Sequence, residues 1–178
     1  MNFARAMSFL VGTLTDLYTT AVMLRLLLQW VRADFYNPVC QFLIKVTNPL
    51  LIPIRRIVPS IGRLDSASVV LMFCLQALST WVIDQLNPLG MTPPGILMYA
   101  LIKLGITLLM TYFILIIGVV LLSWLGGRAR HPLVPLLYQL TDPVLAPIRR
   151  VIPPIAGIDL SPLFALIGIR FLLLLMGW

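Results

Sequence analysis

The stretch TNPLLIPIRRIVPSIGRLD, from Thr47 to Asp65, occurs a second time as TDPVLAPIRRVIPPIAGID, from Thr141 to Asp159. The two segments align without a gap at a shift of 94 positions, and the same shift carries Trp30 to Trp124. Chance similarity between apolar segments could match leucines, but not an Arg-Arg pair, several prolines and an Asp in register. The chain therefore contains a duplication, which has to be recognised before its fold is predicted.

Each copy consists of a hydrophobic helix, a basic proline-rich segment and a second hydrophobic helix. We predict a first repeat over residues 1–92 and a second over residues 93–178. Two membrane-crossing helices return the chain to the side on which it started. The repeats would therefore share one topology and be related by an axis along the membrane normal.

The composition favours lipid as the solvent of this chain. Of its 178 residues 60% are hydrophobic and 11% are charged, whereas a soluble domain carries about 25% charged residues. The net charge is +7. The basic residues lie beside hydrophobic segments and form no long run, so they indicate anionic lipid headgroups and no direct contact with nucleic acid.

The hydrophobic segments predict an all-α integral membrane protein with four transmembrane helices, two in each parallel-topology repeat. The expected spans are residues 7–30, 67–84, 101–125 and 161–178. The third span is free of charge from Leu104 to Gly127. The second span has eighteen residues, which as a helix reach about 27 Å, enough for a hydrocarbon core.

Charge in the loops predicts the orientation of these spans. The segments that follow spans one and three carry most of the basic residues: Arg32, Lys45, Arg55, Arg56 and Arg63 in the first repeat, and Arg128, Arg130, Arg149 and Arg150 in the second. The turn between spans two and three has no charge. The positive-inside rule therefore places both basic loops in the cytoplasm and both termini outside.

The basic loops have the sequence pattern of short amphipathic helices at the membrane surface. Asn37-Pro38 can start one helix, and Asn48-Pro49 or Asp142-Pro143 can start the next. The prolines to which we give a structural role are Pro49, Pro53 and Pro59 in the first loop and Pro143, Pro147 and Pro153 in the second. Since proline interrupts a helix, we expect a pair of short or kinked helices in each loop, lying on the cytoplasmic leaflet.

Two interpretations of the Arg-Arg pairs stay open at this point. Arg55, Arg56, Arg149 and Arg150, with Lys45, could anchor the loops to anionic headgroups. Alternatively, they could dock a partner protein, or Arg55 could form a structural clamp with Asp65 and Arg149 with Asp159. The competing role for the two aspartates is to cap the helices that follow them, which is the role we favour from sequence.

Two charges fall deep inside predicted spans. Asp16 and Arg170 both lie in the outer half of the bilayer when distances are counted from Trp30 and Trp178. Ionisable groups at that depth are costly unless they are paired. We therefore expect Asp16 and Arg170 to pair across spans one and four; two separate polar contacts are the alternative.

The duplicated P-I-R-R-x-x-P core, with RADFYNP leading into the first copy, resembles the YggT family, also called YlmG, which has members in bacteria and chloroplasts. The second copy departs from the first by having Arg-Ala-Arg-His131 where the first has Asp34-Phe-Tyr-Asn37. The resemblance covers nearly the whole chain. It implies a non-enzymatic protein of the bacterial cytoplasmic (inner) membrane, associated with osmotic tolerance, cell division and envelope organisation; chloroplast relatives are tied to membrane-complex assembly and nucleoid distribution.

No catalytic, metal or cofactor motif is present in the sequence, which has no Glu and one His, His131, expected to cap a helix. We therefore expect a scaffold or assembly protein that binds anionic lipid headgroups and membrane proteins, including other copies of itself. The alternative is a subunit of an oligomeric ion channel or transporter. It would need polar residues along one face of the spans, and the third span offers few.

The parallel arrangement of the repeats makes a direct prediction about topology. Reporter domains fused after Arg55 and after Arg149 should report the same side of the membrane, because each repeat crosses it twice. Reporters on opposite sides would contradict the parallel repeat.

Overall fold

The computed structural model describes residues 2–61, 64–124, 131–154 and 159–178. These ranges contain six α-helices, and their only β-type pairing is one isolated bridge between Ile61 and Leu64. The helices are α1 (Asn2–Trp30), α2 (Pro38–Arg55), α3 (Ser66–Leu86), α4 (Pro93–Trp124), α5 (Leu133–Val151) and α6 (Ser161–Leu175). The all-α prediction is confirmed. The predicted contributions of Arg63, Arg128 and Arg130, and the predicted end of span three at Leu125, lie outside the described residues.

Three helices of the described chain are long and apolar enough to cross a membrane: Phe3–Trp30 of α1, Ser66–Leu86 of α3 and Pro93–Trp124 of α4. Helix α6 is apolar but has only 15 residues, so it reaches about 22 Å where a hydrocarbon core measures about 30 Å. By length and composition the described residues therefore contain three candidate spans, and the fourth predicted span corresponds to the shorter helix α6.

Two helix ends differ from the predicted spans for local reasons. Helix α4 starts at Pro93, eight residues before the predicted start, because prolines are tolerated in a first helical turn that needs no N–H donors. Helix α6 stops at Leu175 because Gly177 adopts a positive φ of 80°. The N–H of Gly177 donates to the Leu174 carbonyl and that of Trp178 to the Leu173 carbonyl. This pair of bonds is a Schellman motif, which ends a helix.

The basic loops form one continuous helix each, which corrects the predicted pairs of short helices. Helix α2 contains Pro49 and Pro53, and α5 contains Pro143 and Pro147. Each proline removes one backbone hydrogen bond. The spacing of four residues places both losses on the same side of the helix. The buried residues on the opposite side hold the helix together.

That buried side is the same in both repeats. Leu51 of α2 and its equivalent Leu145 of α5 are fully buried. Thr47 and Thr141 lie one turn earlier, are also buried, and donate to the carbonyls of the residues four positions before them at 2.6 and 2.8 Å. Packing of these residues outweighs the proline defects, so each helix continues through them.

The chain divides into two compact units. The first comprises Met1–Leu26 with Phe42–Leu108, and the second comprises Leu27–Gln41 with Leu109–Trp178. The core of the first unit is built from α1, α2, α3 and the start of α4, and includes Val22, Leu51, Met72 and Ala100. The core of the second is built from the end of α4 with α5 and α6, and includes Leu136, Leu145, Ile116 and Leu173.

Candidate functional site

In the first unit, the arginine–aspartate clamp joins the end of α2 to the start of α3. Arg55 is the last residue of α2, and its Nη2 donates to Oδ2 of Asp65, the residue immediately before α3. The Ser68 hydroxyl donates to the same oxygen at 2.6 Å. The Asp65 side chain is only 2% exposed. A buried carboxylate without these donors would be destabilising by about 1–3 kcal/mol, so the clamp holds the loop closed.

Opposing effects act on the pKa of the Asp65 carboxyl. Burial raises it, but the hydrogen bonds from Arg55 and Ser68 and the positive charge of Arg55 outweigh burial and leave the pKa below its ordinary value. Asp65 is therefore a carboxylate at neutral pH. Its side chain makes no capping bond to the first turn of α3, so the clamp describes its role better than the predicted cap.

The second unit repeats the clamp with more exposure. Arg149 Nε donates to Asp159 Oδ2 at 2.8 Å, and Arg149 Nη1 donates to Asp142 Oδ1 at 3.2 Å. Asp159 also accepts from the Ser161 N–H at 2.9 Å, so it acts both in the clamp and at the start of α6. Burial raises the pKa of Asp159, and the hydrogen bonds from Ser161 and Arg149 lower it further than burial raises it.

The second arginine of each pair has a different environment. Arg56 and Arg150 are exposed, and neither guanidinium makes a hydrogen bond or an ion pair with another residue of the described chain. Each is followed by an almost fully exposed aliphatic residue, Ile57 at 82% and Val151 at 81%. Lys45 is exposed as well. The structure thus separates a structural arginine from a free arginine in both repeats.

The remaining prolines flank the clamps. Pro59 follows α2, and its carbonyl accepts a hydrogen bond from the Ser66 hydroxyl. Pro153 follows α5 and is exposed. The hydrogen bond to the Pro59 carbonyl connects the segment between α2 and α3 to the first residue of α3.

Both loop helices begin as the sequence predicts. Asn37 Oδ1 accepts from the Val39 N–H at 2.9 Å, and His131 Nδ1 accepts from the Leu133 N–H at 3.2 Å. These positions are equivalent in the two repeats. The predicted capping roles of Asn37 and His131 are confirmed.

Arg25 is a site residue whose role the sequence analysis missed. Its position near Trp30 is typical of an arginine that extends towards water. Instead it is 7% exposed, and its Nη1 donates to Thr47 Oγ1 at 2.5 Å and to Asn48 Oδ1 at 2.8 Å. It therefore connects α1 to α2 in the turn that precedes the first proline.

Tyr18 strengthens the same connection. Its hydroxyl lies 3.3 Å from the Val46 carbonyl and 3.5 Å from the Thr47 carbonyl, to which it donates. The recurrence of Tyr18 as Tyr112 was a signal that this residue has a structural role, whereas Arg25 has no such signal because its equivalent is Val119.

The predicted pairing of Asp16 with Arg170 is wrong, because Asp16 pairs with Lys103. Its carboxylate lies 2.8 Å from Lys103 Nζ and accepts from Gln76 Nε2 at 2.9 Å. Because α4 starts at Pro93, Lys103 lies about 15 Å into that helix, where a carboxylate partner stabilises its charge.

The fold and the site define a class of protein: an all-helical chain with helices able to cross a membrane and a duplicated arginine–aspartate clamp. The chain belongs to the CCB3/YggT family, whose model matches residues 4–86 and 98–178. These two segments are consistent with two tandem repeats of one family unit.

Several bacterial proteins are similar along most of their length. A Vibrio alginolyticus protein encoded in the proC 3' region is 43% identical over 97% of this chain and 94% of its own. YggT of Escherichia coli K12 is 37% identical over 88% of this chain and 81% of its own. Both are described only as uncharacterised proteins. No solved structure matches this chain.

The depressed pKa of Asp65 predicts how stability depends on pH. A carboxyl with a lower pKa in the folded than in the unfolded protein stabilises the fold above the unfolded pKa of about 3.9. That contribution is lost as the pH falls through the folded pKa. Melting of the purified protein in detergent should therefore show a decrease in stability below about pH 4 that is smaller in Asp65→Asn.

Asp65→Asn should also melt at a lower temperature than the wild type at neutral pH. Asp34→Asn, which changes an exposed carboxylate outside the clamp, is the matched control and should keep the wild-type decrease. An Asp65→Asn protein that loses stability in acid as steeply as the wild type would contradict the assignment.

Proposed function

We propose that this protein is a non-catalytic scaffold or assembly factor of the bacterial cytoplasmic membrane. It uses its free loop cations to hold anionic lipid headgroups and membrane-protein partners. The role that fits the family resemblance is envelope organisation linked to osmotic tolerance and cell division. Other copies of the chain are among the partners proposed.

The proposal includes a topology of four membrane crossings, with both clamps at the cytoplasmic side and both termini outside. Helices α1, α3 and α4 supply three crossings. Helix α6 supplies the fourth, with residues 176–178 extending it to Trp178. A short apolar helix can cross where the bilayer thins locally, and Trp178 is suited to the headgroup level.

One observation carries the functional proposal: in each Arg-Arg pair the first arginine is bound to an aspartate and the second is free. Arg55 and Arg149 have internal partners, so the charge left for binding is that of Arg56 and Arg150. A cation held at a headgroup contributes about 1 kcal/mol. Two such sites on one protein act together more strongly than either alone.

The residues beside the free arginines support a membrane-surface location. Ile57 and Val151 are exposed aliphatic side chains next to exposed cations. Phe42, which is 63% exposed, lies near Lys45 on the same helix. An apolar side chain beside a cation is the arrangement by which surface helices enter the boundary between headgroups and acyl chains.

The test replaces the two free arginines and leaves the clamp residues Arg55 and Arg149 unchanged. The double variant Arg56→Gln/Arg150→Gln should bind phosphatidylglycerol on the order of tenfold more weakly than the wild type, measured by native mass spectrometry of the purified protein. It should also lose the proteins that the wild type retains in a mild-detergent pulldown. Purified wild-type protein in liposomes should show no ion flux.

The matched control is Arg5→Gln, compared with the single variant Arg56→Gln, because Arg5 is an exposed arginine outside the basic loops. This control should retain both the lipid and the partner proteins. Equal losses in Arg5→Gln and Arg56→Gln would mean that net charge, and not the loop arginines, determines binding. Ion flux through the wild-type protein would contradict a scaffold.

A further inference from the structure

A cavity of about 420 Å³ lies beside the clamp of the second unit. Its polar wall is formed by Arg149, Asp159 and Ser123, and its aromatic wall by Trp124 and Tyr138. Val119, Val120 and Pro162 complete the lining. The cavity therefore combines charged, aromatic and aliphatic surfaces at the last turns of a helix able to cross a membrane.

The first repeat fills the equivalent place with its own side chains. Shifting Val119 by the repeat length gives Arg25, and shifting Pro162 gives Ser68. Arg25 is buried and donates to Thr47 and Asn48, and Ser68 donates to the clamp carboxylate. In the second repeat both donors are replaced by residues without a side-chain donor.

The second repeat lacks the equivalents of these two donors but keeps the equivalents of the groups that accept from Arg25. Asn48, which receives Arg25, is replaced by Asp142, so an acceptor has gained a negative charge. Thr141 replaces Thr47 and donates only to carbonyls of its own helix; no side chain of the described residues donates to it. Asp159 is 34% exposed, where Asp65 is 2% exposed.

The formal charges of the two sites have opposite signs. Arg25, Arg55 and Asp65 leave the first site with one positive charge in excess. Arg149, Asp142 and Asp159 leave the second with one negative charge in excess. Among the described residues, the second site therefore lacks the cation that the first repeat supplies as the Arg25 guanidinium.

We propose that this cavity binds the headgroup of an aminophospholipid of the phosphatidylethanolamine type. The protonated primary amine takes the place of the Arg25 guanidinium and donates to Asp159, which lines the cavity. Asp142 lies outside the lining but contacts Arg149 at 3.2 Å, so its negative charge also favours a cation there. The faces of Trp124 and Tyr138 favour the same cation. Charge-assisted hydrogen bonds need N–H donors, so a primary amine fits better than a quaternary one.

The remaining groups of the site match the rest of such a lipid. Arg149 uses Nε and Nη1 in the clamp, and its Nη2 has no hydrogen bond with a described residue, which leaves it for the phosphate. Val119 and Val120 offer an aliphatic surface to the glycerol and upper acyl carbons. The exposed Trp124, at the end of α4, is the residue type that marks the headgroup level of a bilayer.

The experiment compares lipids that differ only in the headgroup. Native mass spectrometry of the purified full-length protein is carried out with phosphatidylethanolamine, phosphatidylcholine and phosphatidylglycerol of the same acyl chains. The wild type should bind the ethanolamine lipid at least about tenfold more tightly than the choline lipid. Soluble phosphoethanolamine in excess should compete weakly, because it lacks the glycerol and acyl contacts; full competition would assign the site to a soluble amine.

Two variants place residues of the first repeat at the equivalent positions of the second. Each should abolish most of the preference for the ethanolamine lipid over the choline lipid. Val119→Arg supplies the missing cation from inside the protein, and Asp142→Asn removes the excess negative charge. Both residues occur naturally at the equivalent positions, at Arg25 and Asn48. Asp142→Asn changes an exposed side chain, so it tests the proposal even where Val119→Arg impairs folding.

The matched control is Leu121→Arg, which adds the same charge to another face of α4, away from the cavity lining, and should leave the preference intact. Arg56→Gln/Arg150→Gln should also keep the ethanolamine preference, which separates this site from the proposed function of the loop cations. Equal binding of ethanolamine and choline lipids by the wild type would overturn the proposal. An unchanged preference in both Val119→Arg and Asp142→Asn would overturn it as well.

Discussion

The arginine and the aspartate of each clamp are ten positions apart in the sequence. Closing that short segment determines how the proline-containing helix meets the apolar helix after it. In the first repeat, Arg55 ends α2 and Asp65 precedes α3, with the carboxylate almost fully buried. A buried carboxylate is stable only while its donors are in place. The clamp therefore fixes the end of α2, and only with that end fixed does the adjacent Arg56 point away from the protein as a free cation.

The duplication produced two copies of the clamp, which differ in burial and in their polar partners. Burial is tighter in the first repeat, where Ser68 donates to Asp65 and Arg25 donates to Thr47 and Asn48. In the second, Asp142 joins the clamp and a cavity remains beside Asp159. A site that is complete in one repeat shows which chemical group is missing from the other.

Much of the architecture could be predicted from the repeat and from simple rules. The order of apolar and basic segments, the capping by Asn37 and His131, and the two candidate clamps follow from residue type and spacing. What failed were inferences about depth and continuity. The sequence does not show that α4 starts at Pro93, which places Lys103 about 15 Å into that helix. The prolines predict divided loop helices, but the buried Thr47 and Leu51 keep α2 continuous. Arg25 could not be found from the sequence, because its partners lie on another helix.

A double-mutant cycle on Arg55 and Asp65 measures whether the clamp holds the loop of the first repeat closed. Unfolding of the wild type, Arg55→Gln, Asp65→Asn and the double variant would be measured in one detergent at neutral pH. We expect a coupling energy of about 1 kcal/mol or more between the two positions, because they share one buried interaction. Effects that simply add, with a coupling energy near zero, would show that the loop is held closed by something other than the clamp.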